Sequence, residues 1–441
     1  MRNRKRKISF MILLINLLFS MNVLSGCGSS VEGTGKSASN SNYLILNEDD
    51  LYDSSNTISI TGWFEESYTQ NLMAYLAEKY PDYKFEYRYI SKRSYEPIID
   101  AILASQAASD IIMVNSSMAK KHGQSGYLVD LTHYTDGFTN DSREAFMYRQ
   151  KVYAVPSTSE YQCTFYNRTL LENSKRSLPV SFDEYLEICD YMKNEVGIKP
   201  ISSAFKEGEV VADSALAFLA SGYFTTDDGK SFGERVANGK ASFRNELMPS
   251  LMIWKELVNH KAYEKEMCIM DTAAAVEEFA REESFMYVGK VEDYNRIMEL
   301  NPDIRLGTMP SAIEKKGFPA IIGGCSCGFA VSNFSKNKDI AEEIMADLAT
   351  VEGQKALWSD RVGSQTFLKD TSFENPSTFD GLRATLSAGR VFSPWNQWGE
   401  SSSQIYMIFG EEMQKVVTGE RSMDIALKVV DDKVKQIQKQ N

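Results

Sequence analysis

In the first third of the chain, segments with the apolar pattern of a β-strand are followed in turn by segments with the apolar pattern of a helix. The short run at 57–62 is rich in β-branched residues and ends in glycine, and 66–80 has apolar residues at helical spacing. A strand pattern at 84–90, a helical pattern at 95–106 and the continuous apolar run at 111–114 follow. Strands that alternate with helices in this way predict a parallel sheet covered by helices.

The rest of the chain repeats these patterns and crosses between two sheets. The predicted elements are a strand at 152–156, a polar loop at 157–161, a strand at 165–166, helices at 182–193, 214–220 and 248–259, a buried strand at 285–288, a glycine-rich strand at 321–331 and an amphipathic helix at 422–438. Several crossings between two α/β lobes predict a hinge, because a few backbone torsions are enough to close a cleft.

The predicted fold is α/β and two-lobed. Each lobe is expected to hold a mainly parallel sheet with flanking helices, and a hinged cleft is expected between them. The predicted boundaries are 43–155 plus 286–328 for the first lobe, and 156–285 plus 329–441 for the second.

The amino terminus has the features of a bacterial lipoprotein signal. A basic segment at 2–7 precedes an apolar stretch at 8–19, which is shorter than the roughly 20 residues that span a bilayer. The small residues before Cys27 resemble a lipobox, so 1–26 is predicted to be a signal peptide, and Cys27 to carry the lipid that anchors the protein at the outer face of the cell membrane. The Gly/Ser/Asn-rich segment 27–42 would include this cysteine and a flexible tether. An ordinary cleaved signal or an uncleaved anchor is the alternative.

Charge and residue counts exclude several functions. The formal net charge of the 441 residues is −12, and it becomes −17 without the five basic residues of the leader, which disfavours nucleic acid as a partner. Only three histidines are present, and no phosphate-binding glycine loop occurs, so we expect neither a metal site, nor a cofactor, nor a catalytic residue. Adjacent glutamates, as at 65–66, diverge on a helix and do not form the facing pair of a glycosidase.

The five cysteines beyond Cys27 are odd in number and sparse, which argues against disulfides as the support of the fold. Cys325 and Cys327 lie in an apolar stretch and are predicted to be small buried residues. The remaining cysteines are Cys163, Cys189 and Cys268.

Eight short segments carry a family pattern: 58–63, 109–112, 126–131, 152–156, 165–171, 181–185, 285–289 and 335–354. Taken in order, they resemble the extracellular solute-binding proteins of ABC-type importers, in the sugar-binding group that includes the maltose-binding protein family, which implies a two-lobed fold like that of periplasmic binding proteins. Lys290 departs from the family pattern, which has tryptophan after the segment that ends at 289, and the Trp-Asn-Gln-Trp run at 395–398 is also unusual. The resemblance implies a monomeric, non-enzymatic protein that passes a small carbohydrate to permease subunits in the membrane.

Candidate ligand-binding residues lie where strands end, since ligands bind α/β sheets at the carboxyl ends of strands. Sugars need aromatic platforms together with hydrogen-bonding groups. The candidates are Trp63, Phe64 and Glu65 after the first strand; Asn115 and Ser116 after the third; Glu160 and Tyr161 in the hinge loop; Gly324 and Ser326 in the crossing strand; and Trp395 and Trp398 in a late loop. For the tryptophans the alternative is packing in their own lobe, and for Asn115 and Ser116 it is helix capping. For Glu160 and Tyr161 the alternative is a solvated hinge, and for Gly324 and Ser326 it is strand packing. Trp254 lies on an apolar helix stripe and is predicted to belong to a core.

The predicted function is therefore capture of a carbohydrate, an oligosaccharide, for an ABC-type permease. Three alternatives stay open: a binding protein for a polyamine, a peptide or ferric iron; a partner that presents ligand to a membrane sensor; and an exported carbohydrate-active enzyme.

Overall fold

The structure is a computed structural model that describes residues 56–312, 319–399 and 401–439. The predicted signal peptide, Cys27 and the tether lie outside the described residues. Each predicted helix or strand overlaps one in the structure, but the helices predicted at 214–220 and 248–259 begin at 208 and 243, and the strands at 199–203 and 306–310 were not predicted.

The strands are β1 (Thr57–Gly62), β2 (Lys84–Tyr89), β3 (Ile111–Val114), β4 (Met147–Tyr148), β5 (Lys151–Val152), β6 (Val155–Pro156), β7 (Glu160–Asn167), β8 (Lys199–Ser203), β9 (Ser284–Lys290), β10 (Leu306–Pro310), β11 (Ile321–Gly324), β12 (Gly328–Val331) and β13 (Val391–Phe392). The α-helices are α1 (Gln70–Lys79), α2 (Lys92–Ala104), α3 (Ser116–Gln124), α4 (Asn140–Ala145), α5 (Arg168–Ser174), α6 (Phe182–Tyr191), α7 (Gly208–Ala220), α8 (Asp227–Lys230), α9 (Phe232–Ala237), α10 (Phe243–Asn259), α11 (Thr272–Ala280), α12 (Asp293–Leu300), α13 (Lys338–Leu348), α14 (Val351–Ser359), α15 (Asp380–Ser387), α16 (Ser402–Val417) and α17 (Met423–Gln438).

The first lobe is built on a sheet with the strand order β2-β1-β3-β12-β6. β1 pairs in parallel with β2 and β3, as the alternating pattern predicts, whereas β12 pairs antiparallel with β3 and β6. One apolar core underlies this sheet, and it includes Ile58, Ile112 and Phe329.

The second lobe is built on a sheet with the order β13-β11-β7-β9-β8, and β10 also pairs with β7. β7 is antiparallel to β9, β10 and β11, so this sheet is mixed instead of mainly parallel. A separate apolar core, which includes Phe165, Trp254 and Phe409, confirms the core prediction for Trp254. The two-lobed α/β fold is thus confirmed, and its strand directions are corrected.

Two segments lie in a different lobe from the one predicted. The segment 286–328 was expected in the first lobe, but β9 and β11 pair with β7 of the second sheet. The segment that begins at 329 was expected in the second lobe. It contains most of β12, however, and β12 pairs with β3 of the first sheet. The physical reason is that a buried apolar run identifies a strand without identifying its partner. The predicted limits of the segments 43–155 and 156–285 stay a prediction.

The lobes are joined by segments that lie side by side. The chain crosses between β6 and β7, between β11 and β12, and again between α14 and α15. Hydrogen bonds tie these crossings together: the Ser157 N–H donates to the Cys327 carbonyl at 3.1 Å, and the Ser159 N–H donates to the Gln365 carbonyl at 2.7 Å. The single strand expected at 321–331 is therefore two strands in two sheets, with Cys325–Cys327 between them. Both cysteines are buried, as predicted, and both are free.

Among the described residues, no helix combines the length and the apolar character that crossing a bilayer requires.

Trp398 belongs to the core of the second lobe. Its side chain is 1% exposed and packs edge-on against Phe243, with ring centroids 5.4 Å apart. Trp395 lies in the short 3-10 turn Pro394–Gln397, which ends just before Trp398, and its side chain is only partly buried and contacts Tyr406. The two tryptophans, which were both predicted to bind ligand, therefore lie in different environments.

We expect Trp398→Ala to lower the free energy of unfolding by about 3–5 kcal/mol, because it leaves a cavity in a packed core. Urea denaturation of the variant would measure this loss. Ile269→Ala is the control, since Ile269 is 77% exposed and its truncation should change stability little. Equal stability of Trp398→Ala and the wild type would contradict the core assignment.

Candidate functional site

A cavity of about 630 Å³, here named the first chamber, lies between the two lobes. Its residues come from the ends of β1 and β3, from α2, from β7 and β11, and from α7 and α16. The lining comprises Trp63, Lys92, Arg93, Tyr95, Glu96, Pro97, Asp100, Asn115, Ser116, Ser117, Met118, Lys121, Glu160, Tyr161, Glu209, Asp213, Lys290, Gly323, Ser326, Trp395, Asn396, Ser401, Ser402, Ser403, Gln404, Tyr406 and Met407. This volume is within the range of small-molecule sites.

Aromatic rings of both lobes face the first chamber. Trp63 packs edge-on against Tyr95 in the first lobe, with centroids 4.9 Å apart. Trp395 and Tyr406 form a tilted pair in the second lobe, also at 4.9 Å. Tyr95 is held in place because its hydroxyl lies 2.9 Å from the carbonyls of both Thr61 and Met113. The chamber thus has a fixed aromatic pair on each side.

Polar groups between these rings are partly unpaired. Trp63 Nε1, Ser326 Oγ and Glu160 Oε1 are buried, and none of them has a hydrogen-bond partner in the structure. Buried polar atoms normally have partners, so these three atoms are exceptions within the lining of the first chamber. Asn115 is already engaged: its Oδ1 caps α3 by accepting from the Met118 N–H at 2.9 Å.

A second cavity of about 810 Å³, here named the second chamber, adjoins the first. Its lining comprises Trp63, Phe64, Glu65, Ser67, Tyr68, Tyr89, Ser91, Lys92, Arg93, Glu160, Lys206, Glu207, Gly208, Glu209, Val210, Asp271, Thr272, Ala273, Val276, Tyr287, Lys290, Glu292, Asp293, Arg296, Met407, Glu411 and Gln414. Both chambers are lined by Trp63, Lys92, Arg93, Glu160, Glu209, Lys290 and Met407.

The charged boundary between the chambers centres on Glu160, the first residue of β7. Its carboxylate is 4% exposed and lies 3.9 Å from Lys92 Nζ and 3.8 Å from Lys290 Nζ. At such distances an opposite charge contributes about 4 kcal/mol at an intermediate dielectric constant. Burial raises the pKa of Glu160, but Lys92, Lys290 and Arg361 outweigh it and lower the pKa to about 2. Glu160 is therefore a stable buried anion.

Three other acidic groups near this boundary have raised pKa values, in contrast to Glu160. Burial raises the pKa of Glu292 to about 7, against the effect of Lys290 and with the help of Glu160. Burial likewise raises the pKa of Asp293 to about 6 and that of Asp213 to about 6. These carboxyl groups bind protons in a range where exposed carboxyl groups are ionised.

Direct contacts join the lobes across the cleft. Asn115 Nδ2 donates to Ser403 Oγ at 3.1 Å, and the Tyr68 hydroxyl lies 3.4 Å from Asp293 Oδ1. Lys92 Nζ lies 3.7 Å from Glu209 Oε1. Lys92 thus reaches from α2 of the first lobe to α7 of the second.

The structure brings most of the predicted site residues to the cleft. Trp63, Asn115, Ser116, Glu160, Tyr161, Ser326 and Trp395 line the first chamber, and Phe64 and Glu65 line the second. Glu160 and Tyr161 begin strand β7 instead of lying in a loop. Gly324 lines neither chamber, although its neighbour Gly323 does, and it pairs with Glu160. Trp398 is wrong as a cleft residue, because it is buried in the core. Whether the cleft residues bind ligand stays a prediction.

Sequence reasoning missed several lining residues. Lys92 follows the carboxyl end of β2, so the rule that selected Trp63 would have found it too. Lys290 was visible as a departure from the family pattern. Tyr95 and Tyr406 lie within helices, where an aromatic residue facing a cavity has the same spacing as one facing a core.

Within residues 56–312, 319–399 and 401–439, no group of three or more His, Cys, Asp and Glu side chains is arranged to hold a metal ion.

The sequence profile of a family described as "Bacterial extracellular solute-binding protein" matches residues 71–372. A search of curated protein sequences returned no match to the chain.

Solved structures share the fold at low sequence identity. One comes from work titled as xylan utilisation by Caldanaerobius polysaccharolyticus; its TM-score is 0.71 at 18% identity, over 86% of this chain and 99% of that one. Another is a family 1 extracellular solute-binding protein from Bifidobacterium longum subsp. infantis; its TM-score is 0.63 at 20% identity, over 86% and 99% of the two chains.

We expect Glu160→Gln to lower the free energy of unfolding by about 3–5 kcal/mol, because it leaves the buried ammonium of Lys290 without its nearest anion. Chemical denaturation at neutral pH would measure the loss. Glu78→Gln makes the same change at an exposed position and should be nearly neutral. A loss no larger than that of the control would contradict the charge network.

Glu292 should make the protein less stable as the pH rises. Its folded-state pKa of about 7 exceeds the ordinary value of 4.5, so between these values the folded state binds more protons than the unfolded state. The contribution of this group to the free energy of unfolding therefore falls from about pH 4.5 to 7. We expect Glu292→Gln to remove that fall, measured by denaturation at several pH values. Parallel pH profiles for the variant and the wild type would be the contrary result.

Proposed function

Because the chain belongs to the bacterial extracellular solute-binding protein family, we propose that it captures an oligosaccharide between its lobes and delivers it to an ABC-type permease. Membership of the family implies an extracellular or periplasmic location and a small-molecule ligand. The observation that carries the carbohydrate proposal is the first chamber, where aromatic rings from both lobes surround unpaired polar atoms.

A sugar ring matches this lining chemically. Its C–H faces pack against aromatic rings, and its hydroxyl groups both donate and accept hydrogen bonds. Trp395 and Tyr406 offer the aromatic surface on one side, and Trp63 and Tyr95 on the other. Glu160 Oε1 and Ser326 Oγ are free to accept from hydroxyl groups, and Trp63 Nε1 is free to donate.

Capture requires no chemical step. A ligand that contacts both lobes favours the closed arrangement by its differential affinity for that state. The hinge segments around Ser157, Cys327 and Gln365 are the natural place for the torsional change, since they connect two separately packed cores. The permease would recognise the closed, loaded protein.

The cellular setting is proposed from the sequence. Cys27 would carry the lipid anchor, and the segment up to residue 42 would hold the folded protein at the outer face of the membrane. The folded protein would act as a monomer. A partner that presents ligand to a membrane sensor would use the same chamber, and genes for permease subunits beside this one would favour transport.

The first experiment is a thermal-shift and calorimetry screen of the purified protein against neutral oligosaccharides. Xylo-oligosaccharides belong in it because one structural neighbour is tied to xylan utilisation. A ligand at about 100 times its Kd should add about 2.7 kcal/mol of stability. Binding of one glycan family without product formation supports the proposal, and the appearance of cleavage products would contradict it.

We expect Trp395→Ala to weaken glycan binding about tenfold, because an aromatic contact contributes about 0.5–1.5 kcal/mol beyond the area it buries. Calorimetry would give the Kd, and Trp395→Phe should retain part of the affinity. Trp358→Ala is the matched control: Trp358 is also partly buried, but it lines neither chamber. Equal Kd values for Trp395→Ala and Trp358→Ala would remove Trp395 from the binding site.

A further inference from the structure

The second chamber has more acidic than basic side chains. Its lining contains eight acidic residues and five basic ones. Two of the bases have acidic partners that lie 2.9–3.2 Å away: Lys206 pairs with Asp271, and Arg296 pairs with Glu299. The positive charges left to face the chamber are those of Lys92, Arg93 and Lys290. The charge of the lining therefore suits a cation better than an anion.

Two buried carboxylate oxygens in this chamber have no hydrogen-bond donor. They are Glu160 Oε1 and Glu292 Oε2, and the residues are 4% and 7% exposed. The other buried acid, Asp293, has two hydrogen-bond donors: its Oδ2 accepts from the Tyr287 hydroxyl at 2.7 Å and from the Lys290 N–H at 2.9 Å. The missing donors are thus confined to Glu160 and Glu292.

The chamber's own cations do not supply the missing donors. The ammonium groups of Lys92 and Lys290 lie 3.9 and 3.8 Å from Glu160 Oε2, which is beyond hydrogen-bond distance, and they approach the other oxygen of that carboxylate. Within the described part of the chain, Glu292 has no ion pair within 4.0 Å, although Lys290 and Glu160 both act on it electrostatically. Glu292 therefore lacks a direct counter-ion, and its Oε2 lacks a donor.

An alkylammonium group would supply the missing counter-ion and hydrogen-bond donor better than a hydroxyl group. It offers three N–H donors and a positive charge, whereas a hydroxyl offers one donor and no charge. Buried carboxylates are normally paired with a cation, and hydrogen bonds that involve a charged group are the stronger ones. The raised pKa of Glu292 agrees, since burial disfavours its charged form and Lys290 offsets this effect only in part.

We propose that the second chamber binds an alkylammonium group of the solute through the free Oε2 of Glu292. The inference rests on the proposed function, because it assigns a chemical class to one part of the same cleft. An aminated sugar unit and a polyamine both present this group. The aminated sugar would extend from the first chamber past Lys92 into the second.

Calorimetry with matched probes tests the inference. The probes are glucosamine oligomers with free amines, the same oligomers N-acetylated, neutral xylo-oligosaccharides and spermidine. We expect the free amine to bind at least about tenfold more tightly than its N-acetylated counterpart. Glu292→Gln should remove most of that preference, and Glu292→Asp should keep part of it. Glu66→Gln, which removes an exposed carboxylate that lines neither chamber, should leave the preference unchanged.

The outcomes separate the two proposals. Equal binding of amine and N-acetylated oligomers, or a preference that survives Glu292→Gln, overturns the ammonium site and leaves carbohydrate capture intact. Tight binding of spermidine that depends on Glu292, without binding of any sugar, supports the ammonium site and contradicts carbohydrate capture. Failure of both amine probes to bind a protein that melts cooperatively overturns the ammonium site.

Discussion

The buried carboxylate of Glu160 is the constraint around which the cleft is organised. A buried anion must be neutralised, and here the neutralising charges come from separate parts of the chain. Lys92 approaches from α2 of the first lobe, Lys290 from β9 of the second, and Arg361 from the segment that connects α14 to α15. Because Glu160 begins β7, directly after the first crossing between the sheets, its charge holds together the region where the lobes meet. The same network separates the cleft into two chambers with different chemistry: aromatic and hydroxyl groups in one, excess carboxylates in the other.

The sequence predicts the local elements of this fold well, because most helices and strands bury one face and carry the matching period. The strand Ile111–Val114 lies where it was predicted, and the last helix begins one residue later than predicted. Strand partners are harder to predict, since a continuous apolar run such as that of β9 suits a buried strand in either sheet. The crossing at 321–331 shows a second limit: two strands separated by three residues resemble one long strand when the linking residues are also small and buried.

The residues of the site can be predicted only in part from the sequence, because some of their positions depend on tertiary contacts. The positions of Trp63 and Asn115 follow from the rule that ligands bind beyond the carboxyl ends of parallel strands. That rule does not distinguish Trp395 from Trp398, because the orientation of each ring depends on a short turn whose packing is decided by tertiary contacts with Tyr406 and Phe243. The buried carboxylate of Glu292 has no sequence signal at all, since burial of a charged side chain becomes apparent only when both sheets are in place.

One solute is expected to contact both lobes at once, and a crystal structure of the protein with a bound oligosaccharide tests this most directly. We expect ligand density between the two chamber walls, in contact with Trp63 of the first lobe and Trp395 of the second, and with a hydrogen bond to Glu160. A ligand that contacts only one lobe, or that lies outside both chambers, would contradict it.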